Sequence, residues 1–499
     1  MWTAISQAFG MVFDPYTLLV MVLASMYGLF VGAVPGLTAT MATALLVPVT
    51  FFMAPIPAVA AIVTATAMAI FSGDIPGCLL RIPGTPASAA YTDEAFAMTR
   101  KGQAELALGA GLVFSVVGGL FGTLVLIFAA PALADFAIQF SSYEYFWLVL
   151  LGLTCAVFIT SNRPLKGLVT LFLGLLVACV GLGNPAGFPR FTFGSAEMTG
   201  GIGMIPLMIG MFAISEVIRF VVDTAPPAEL VTDKVGNVLA GQWELAKKYP
   251  MQILRGSALG TVVGALPGAG ADIAAWMSYA ISKKFSKEPE KFGTGHVEGI
   301  VESGAANNSA LAGAWIPALV FGIPGDSITA IVIGVLYMKN MNPGPTLFVT
   351  QPQNIYAVFL LFIMANIIML PMGILCIKAA KKILKVPRNV LMPVILLFCT
   401  VGTFAINNSL FDVGVMLAAG LLAYVLEENE FPIAPAILGV VLGGMLEENF
   451  ITSMIKSNGD FSAFFSRPIA AFLGVSTLLV WFVPVLLKAW RARAASAQA

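Results

Sequence analysis

Two short phrases, GAVPGLTAT from Gly32 to Thr40 and GALPGAGAD from Gly264 to Asp272, set Pro-Gly pairs inside apolar runs. Pro removes a backbone donor and Gly permits a tight reversal. Each phrase therefore exposes the carbonyl end of one half-helix and the amide end of the next. The amide end carries the positive end of the helix dipole and favours an anion. The carbonyls, with nearby side-chain oxygens, suit a hard cation such as Na+. Two further Pro-Gly phrases follow downstream, RIPGTPAS from Arg81 to Ser88 and GIPGDSIT from Gly322 to Thr329. The candidate substrate-binding set is thus Pro35, Gly36, Thr38, Thr40, Pro83, Gly84, Thr85 and Ser88 in the first half of the chain. In the second half it is Pro267, Gly268, Gly270, Asn307, Asn308, Ser309, Pro324, Gly325, Ser327 and Thr329. Asp272 and Asp326 are the candidate Na+ ligands, with H+ as the other coupling ion. The chemistry on offer is ion recognition, since exposed backbone is tolerated in hydrocarbon only where it lines a cavity or binds something.

Plainer roles stand beside these. Asp272 and Asp326 can cap half-helices, and hydroxyls can bond back to a helix carbonyl. The amides of the ANNS run, Ala306 to Ser309, need partners next to an apolar run; a polar loop at the cytoplasmic mouth would also serve. Glu298 and Glu302, one turn apart, read as a solvated face, and His296 as an exposed loop residue. EEN at Glu427–Asn429 and again at Glu447–Asn449 reads as two helix-end polar caps.

The elements that carry these residues are membrane helices. Of 499 residues, 59% are hydrophobic and 10% charged, far below the quarter charged that is usual for a globular chain. Barrel strands would alternate apolar with polar residues, whereas these runs are apolar on every face. About twelve to fourteen membrane segments fit an all-α polytopic protein. Plain spans lie near 106–130, 143–160, 166–182, 199–222, 355–377, 389–406, 411–426 and 468–487; the regions 17–53, 57–90 and 250–340 are broken. Net charge is zero, so no bulk field attracts nucleic acid. The cysteines, Cys78, Cys155, Cys179, Cys376 and Cys399, are scattered in apolar runs without metal or disulfide spacing. The first sixteen residues hold no Lys or Arg, which argues against a cleaved signal peptide.

Basic clusters at Arg100-Lys101, Arg163 to Lys166, Lys247 to Lys291, Lys378 to Arg388 and Lys488 to Arg493 orient the chain with these loops, and the C-terminus, in the cytoplasm. Pro250 to Ser282 has lysines at both ends and a break between, so it reads as a re-entrant hairpin. Its counterpart at 17–53 would enter from the other side. Ala24–Gly36 and Gly256–Gly268 align with seven identities in thirteen positions. Both copies place a small residue at every fourth position, which permits close helix approach. The expected organisation is two inverted repeats: residues 1–240, with breaks in 17–53 and 57–90, and residues 241–499, with breaks in 250–282 and 303–340. Such inversion is typical of secondary transporters, with the site where the copies meet.

At these residues the chain resembles the TctA family, the large membrane subunit of tripartite tricarboxylate transporters. The resemblance rests on GAVPGLTAT, RIPGTPAS, GALPGAGAD and the block ESGAANNSALAGAWIPALVFGIPGDS, Glu302 to Ser327, with matched hydropathy over almost the whole length. It implies a bacterial inner-membrane importer of citrate or another carboxylate, driven by an ion gradient rather than ATP. It also implies a small membrane subunit, TctB, and a periplasmic binding protein, TctC; a homo-oligomer is compatible with it. A membrane-embedded enzyme would need an activated nucleophile or metal cluster, and the chain has one histidine, no HExxH and no GxSxG. A passive channel or scaffold subunit is the alternative that uptake experiments separate.

Overall fold

Asp14 and Pro15 set the start of the first long helix. A short helix, α1 (Trp2–Val12), precedes α2 (Pro15–Ala33). The Asp14 carboxylate accepts from the N–H groups of Tyr16 (3.0 Å) and Thr17 (3.3 Å), and Pro15 occupies the first turn, where its missing donor costs nothing. The chain then breaks at Val34-Pro35-Gly36, with Gly36 at φ 89°, and resumes as α3 (Ala39–Phe51), capped by the Thr38 hydroxyl on Met41 N–H at 3.1 Å. Next come α4 (Pro55–Ser72) and α5 (Asp74–Leu80), joined at Gly73, then a 3-10 turn at Ser88–Ala90, α6 (Thr92–Arg100) and the 34-residue α7 (Ala104–Ala137). Further along lie α8 (Ser142–Thr160), α9 (Pro164–Ala178), the single turn α10 (Ala196–Thr199), and α11 (Met204–Ile209), which runs through a π-helical turn into α12 (Ser215–Val222).

The second half opens with α13 (Gln242–Lys248) and α14 (Pro250–Gly264). It breaks at Pro267-Gly268, with Gly268 at φ 85°, and continues as α15 (Gly270–Phe285), α16 (Val297–Phe321) and α17 (Ser327–Met338). The remaining helices are α18 (Pro345–Thr350), α19 (Pro352–Ile383), α20 (Arg388–Asn407), α21 (Leu410–Glu428) and α22 (Ala434–Lys456), followed by an apolar helical run at Pro468–Trp481. This computed structural model describes residues 2–160, 163–183, 187–222, 236–384 and 388–481. The basic cluster at Lys488 to Arg493 and the expected cytoplasmic C-terminus lie outside them.

Among the described residues, eight helices are long and apolar enough to cross a membrane and five shorter apolar ones accompany them. The fold is therefore an all-α polytopic membrane architecture. The single β feature described is an isolated bridge between Gly181 and Arg190. α14 and α15, with 15 and 16 residues, are shorter than the roughly 20 that a span requires. α2, with 19, is itself among the eight.

Small residues do the packing. α2 lies on α4 and α14 on α16. A Cβ added at Gly28 or Gly32 would run into the carbonyl oxygens of Ala65 or Ala69. One added at Gly260 or Gly264 would meet those of Ala306 or Ala310. These are the same pairs at constant offsets in the two halves. In the membrane, where lipid tails are as apolar as Leu, such van der Waals contact is what draws helices together. α4 is buried from Ile56 to Ser72, and α16 is buried from Glu298 to Val320.

The chain divides into two compact units, Met1–Asp135 with Gly203–Glu428, and Phe136–Ile202 with Asn429–Ala499. Each draws on both halves. In the first, α20 and α21 pack against α11 and α12; in the second, α8 and α9 pack against α22. The second unit also carries an aromatic cluster in which Trp147 Nε1 donates to Phe464 O at 2.8 Å.

Three readings from sequence are corrected here. Glu298 and Glu302 are buried, not solvated: Arg255 grips Glu302 with two bonds of 2.6 Å, and Glu298 accepts from Gln252 at 2.9 Å. His296 is buried too, its N–H donating to Glu94 Oε2 at 2.8 Å and its Nε2 lying 3.1 Å from Glu298 Oε2. The second EEN is interior to α22, a helix absent from the plain spans expected above. Its Glu447 forms a bidentate pair with Arg190 at 2.7 Å. The first EEN does end a helix, with Glu427 2.7 Å from Arg219.

Gly260→Ala is expected to lower the thermal midpoint in detergent, because the added methyl overpacks a helix contact at about 1–3 kcal/mol. Gly414→Ala, where a Cβ meets nothing within 4 Å, should keep or raise the midpoint, since Ala favours a helix interior over Gly.

Candidate functional site

Many of the candidate residues lie where the broken helices end, at the two Ile-Pro-Gly loops and the start of α15. In the first half, α5 stops at Arg81 in the left-handed region (φ 59°), and Ile82-Pro83-Gly84 turns back on the helix it left. Gly84 N–H donates to Gly73 O at 3.0 Å. A Cβ at Gly84 would lie 2.8 Å from Gly32 O, the last glycine of α2's small face. In the second half, α16 stops at Gly322 (φ 68°), and a Cβ at Gly325 would lie 2.5 Å from Gly264 O. Gly268 N–H donates to Gly325 O at 2.8 Å, so this Pro-Gly tip is tied to the Ile-Pro-Gly loop of its own half.

After each loop comes a reciprocal cap. Thr85 and Ser88 each accept the other's backbone N–H through a hydroxyl at 3.2 Å. Asp326 and Thr329 do the same: Thr329 N–H donates to Asp326 Oδ1 at 2.7 Å, and Asp326 N–H to Thr329 Oγ1 at 2.9 Å. This is a capping box, which satisfies two donors that a helix start leaves over. The plainer reading of Asp326 as a cap therefore holds.

Asp272 does not cap its own helix. Its Oδ1 accepts from Ala87 N–H at 3.0 Å, in the loop of the other half, and Trp276 Nε1 donates to Pro86 O of that loop at 3.1 Å. These bonds join the two halves at the site. The start of α15 has no side-chain cap, so its first N–H groups remain available. Gly270, at φ 59°, sits against Asp326, whose Cβ would be 2.7 Å from a Cβ placed there. Asp272 and Asp326 thus flank an uncapped helix start, and neither has a cationic partner among the described residues. Reciprocally, α17 of the second half packs on α3 of the first.

The other candidates are placed as follows. Thr38 caps α3, and Thr40 is half-buried in its first turn. Pro35 is buried and Gly36 exposed, Pro83 is exposed, Pro267 and Ser327 are half-buried, and Pro324 is buried. Ser309 bonds back to Ala306 O at 3.0 Å, the ordinary fate of a helix hydroxyl. Asn307 and Asn308 are not in a loop: both lie inside α16 with exposures of 0% and 2%. Their amide nitrogens reach Tyr91 Oη (3.3 Å) and Met369 Sδ (3.4 Å), while both Oδ1 atoms lack a described partner. Sequence reading overlooked Asp74, buried at the start of α5. The available signal was a carboxylate inside the apolar run AIFSGDIPG, since an ionisable residue at membrane depth marks function by default. A separate cleft lined by Gln7, Asp14, Thr17, Ala54, Gln353 and Asn354 lies at the opposite end of α2 from Gly36.

Gly270→Ala should destabilise the protein by more than Gly293→Ala, because both residues have positive φ but only Gly270 has a neighbour within 4 Å. The left-handed conformation alone costs a non-glycine residue roughly 1–2 kcal/mol. Thermal unfolding of the two variants separates that conformational cost from the clash with Asp326.

Comparisons with known proteins show which family the chain falls in. Residues 18–438 match the tripartite tricarboxylate transporter TctA family. An Agrobacterium vitis protein described as "Uncharacterized 52.8 kDa protein in TAR-I ttuC' 3'region" is 33% identical over 460 residues, covering 92% of this chain and 91% of its own. A second protein from that organism, "Uncharacterized protein in TAR-II ttuC' 3'region", is 35% identical over 235 residues, covering 47% of this chain and 96% of its own. No solved structure matches. With the family match spanning most of its length, the chain belongs to the TctA family, the membrane component of tripartite tricarboxylate transporters.

Proposed function

We propose that this chain is the large membrane subunit of an ion-coupled importer of tricarboxylates or related carboxylates. It works in a bacterial inner membrane with a small TctB-like subunit and a TctC-like periplasmic binding protein, and it is not an enzyme. The observation that carries this reading is the pairing of Asp272 and Asp326 around the uncapped start of α15, without a cationic partner among the described residues. The free N–H groups of α15 favour a substrate carboxylate, but the two aspartates oppose it. At roughly 5 Å and an effective dielectric near 20, one pair of like charges costs about 3 kcal/mol. A cation held between protein and substrate carboxylates turns that repulsion into attraction. Substrate and ion then bind only well together, which is the thermodynamic core of symport.

Na+ is the favoured coupling ion, because the surrounding donors are oxygens: Asp272, Asp326, the Thr85 and Ser88 hydroxyls and the loop carbonyls; H+ is the other. The recurrence of the glycine-faced helix pair, the left-handed stop, the Ile-Pro-Gly loop and the reciprocal cap supports two related halves. With the charge distribution of the loops it favours an inverted relationship, the basic loops and C-terminus cytoplasmic, and breaks entering from opposite faces. Transport would then move the loops relative to the remaining helices.

Reconstituted with its two partners, the protein should concentrate a tricarboxylate such as citrate in vesicles, and uptake should stop when the ion gradient is collapsed. Equilibration without concentration would mark a channel instead. Asp272→Asn, which removes one repelling charge, should lower uptake by about tenfold or more and flatten the Na+ dependence of carboxylate binding. A variant with wild-type uptake and wild-type Na+ dependence would remove Asp272 from the site.

A further inference from the structure

A second set of buried polar side chains lies near the first Ile-Pro-Gly loop. Asp74 opens α5 directly after Gly73, the residue whose carbonyl holds Gly84, and is 6% exposed. Its Oδ1 accepts from Tyr91 Oη at 2.6 Å, and Asn307 Nδ2 donates to the same Tyr91 oxygen at 3.3 Å. With Asp74 ionised, that chain runs one way. With the Tyr91 proton given to Asp74, the tyrosine oxygen can only accept from Asn307, so the Asn307 carbonyl faces elsewhere.

Asp74 Oδ2 and Asn307 Oδ1 are both buried without a partner among the described residues, as is Ser303 Oγ, one turn before Asn307 on α16. A buried carboxylate with no cation and no second donor is costly. Bare glycine backbone faces it. A Cβ at Gly111 of α7 would stand 2.8 Å from Asp74 Oδ2, and a Cβ at Gly304 of α16 would stand 3.7 Å from Gly111 O.

The internal repeat argues that the carboxylate is not there for folding. At the offset that matches Gly73 with Ala314 and Gly84 with Gly325, the counterpart of Asp74 is Trp315, a buried aromatic set edge-on to Phe362 at 5.2 Å. The frame accepts an apolar side chain at that place. The first half instead keeps an anion with open oxygens.

We propose that Asp74, Asn307 and Ser303 form a binding site for a dehydrated Na+ ion, with Tyr91 positioning the two principal ligands. The ligand set is one anionic and two neutral oxygens, the hard-donor chemistry that suits a small alkali cation. Its place under Gly73 and the Thr85–Ser88 cap links ion occupancy to the loop that Asp272 holds. The inference rests on the transporter reading above for its purpose, but its test does not.

The experiment is thermal unfolding of the purified full chain in detergent, without carboxylate, titrated with NaCl against choline chloride at constant ionic strength. Wild type is expected to gain stability with Na+ by mass action, and Asp272→Asn to keep a large part of that gain. Asp74→Asn should lose it, and Gly111→Ala, which fills the space while leaving Asp74 in place, should lose it too. Tyr91→Phe and Asn307→Ala should raise the midpoint Na+ concentration by about tenfold, the loss of roughly 1.4 kcal/mol of binding. A wild-type protein indifferent to Na+, or an Asp74→Asn protein with the full wild-type response, overturns the site. If Asp74→Asn does not fold, Gly111→Ala and Asn307→Ala carry the decision. Gradient-driven carboxylate uptake by a protein indifferent to Na+ would overturn this site while leaving the transporter reading intact.

Discussion

Bare glycine backbone pressed against the carbonyls of a neighbouring helix is the constraint on which both halves depend. Gly28 and Gly32 bring α2 onto α4, and Gly260 and Gly264 bring α14 onto α16, closer than any side chain would allow. The same columns of glycine also place the breaks. Because Gly32 and Gly264 lie beside Gly84 and Gly325, each Ile-Pro-Gly loop is seated on the end of a close-packed helix pair. Irregular backbone at membrane depth needs such cover, or a bound ligand, to satisfy its polar groups. The candidate site is therefore a consequence of how tightly two pairs of helices approach.

On this repeated frame the chemistry is not repeated. The left-handed stop is Arg81 in one half and Gly322 in the other. The reciprocal cap is Thr85 with Ser88 in one and Asp326 with Thr329 in the other. Asp74 in one half corresponds in register to Trp315 in the other. Backbone geometry is thus preserved where packing fixes it, while charge is distributed unevenly: Asp74 on the first half, Asp272 and Asp326 on the second. The bond from Ala87 N–H to Asp272 joins the two charge sets through one loop.

Much of this was legible in the chain itself. A small residue at every fourth position lines one face of a helix whatever surrounds it, so the close-packed faces could be read from spacing alone. Pro beside Gly disfavours helix for local reasons, and the breaks at Pro35-Gly36, Pro83-Gly84, Pro267-Gly268 and Pro324-Gly325 follow from it, whereas Pro76-Gly77 is carried inside α5. Asp74 could have been found by the same means, as a lone carboxylate in an apolar run.

What lay beyond local reading was every polar group whose partner is remote in sequence. Glu302 looks like half of a solvated face until Arg255, 47 residues earlier, is folded against it. His296 and its loop look exposed until Glu94, about 200 residues earlier, gathers their N–H groups. Asn307 and Asn308 fit either a polar loop or a buried pair until burial puts them inside α16. The sequence by itself determined the membrane class, the helix breaks and the small-residue faces, because these follow from composition and from dihedral preferences within a few residues. Only the tertiary structure decided which carboxylates are neutralised by a partner and which are left open, because a buried charge takes its character from neighbours that the chain brings back from far away.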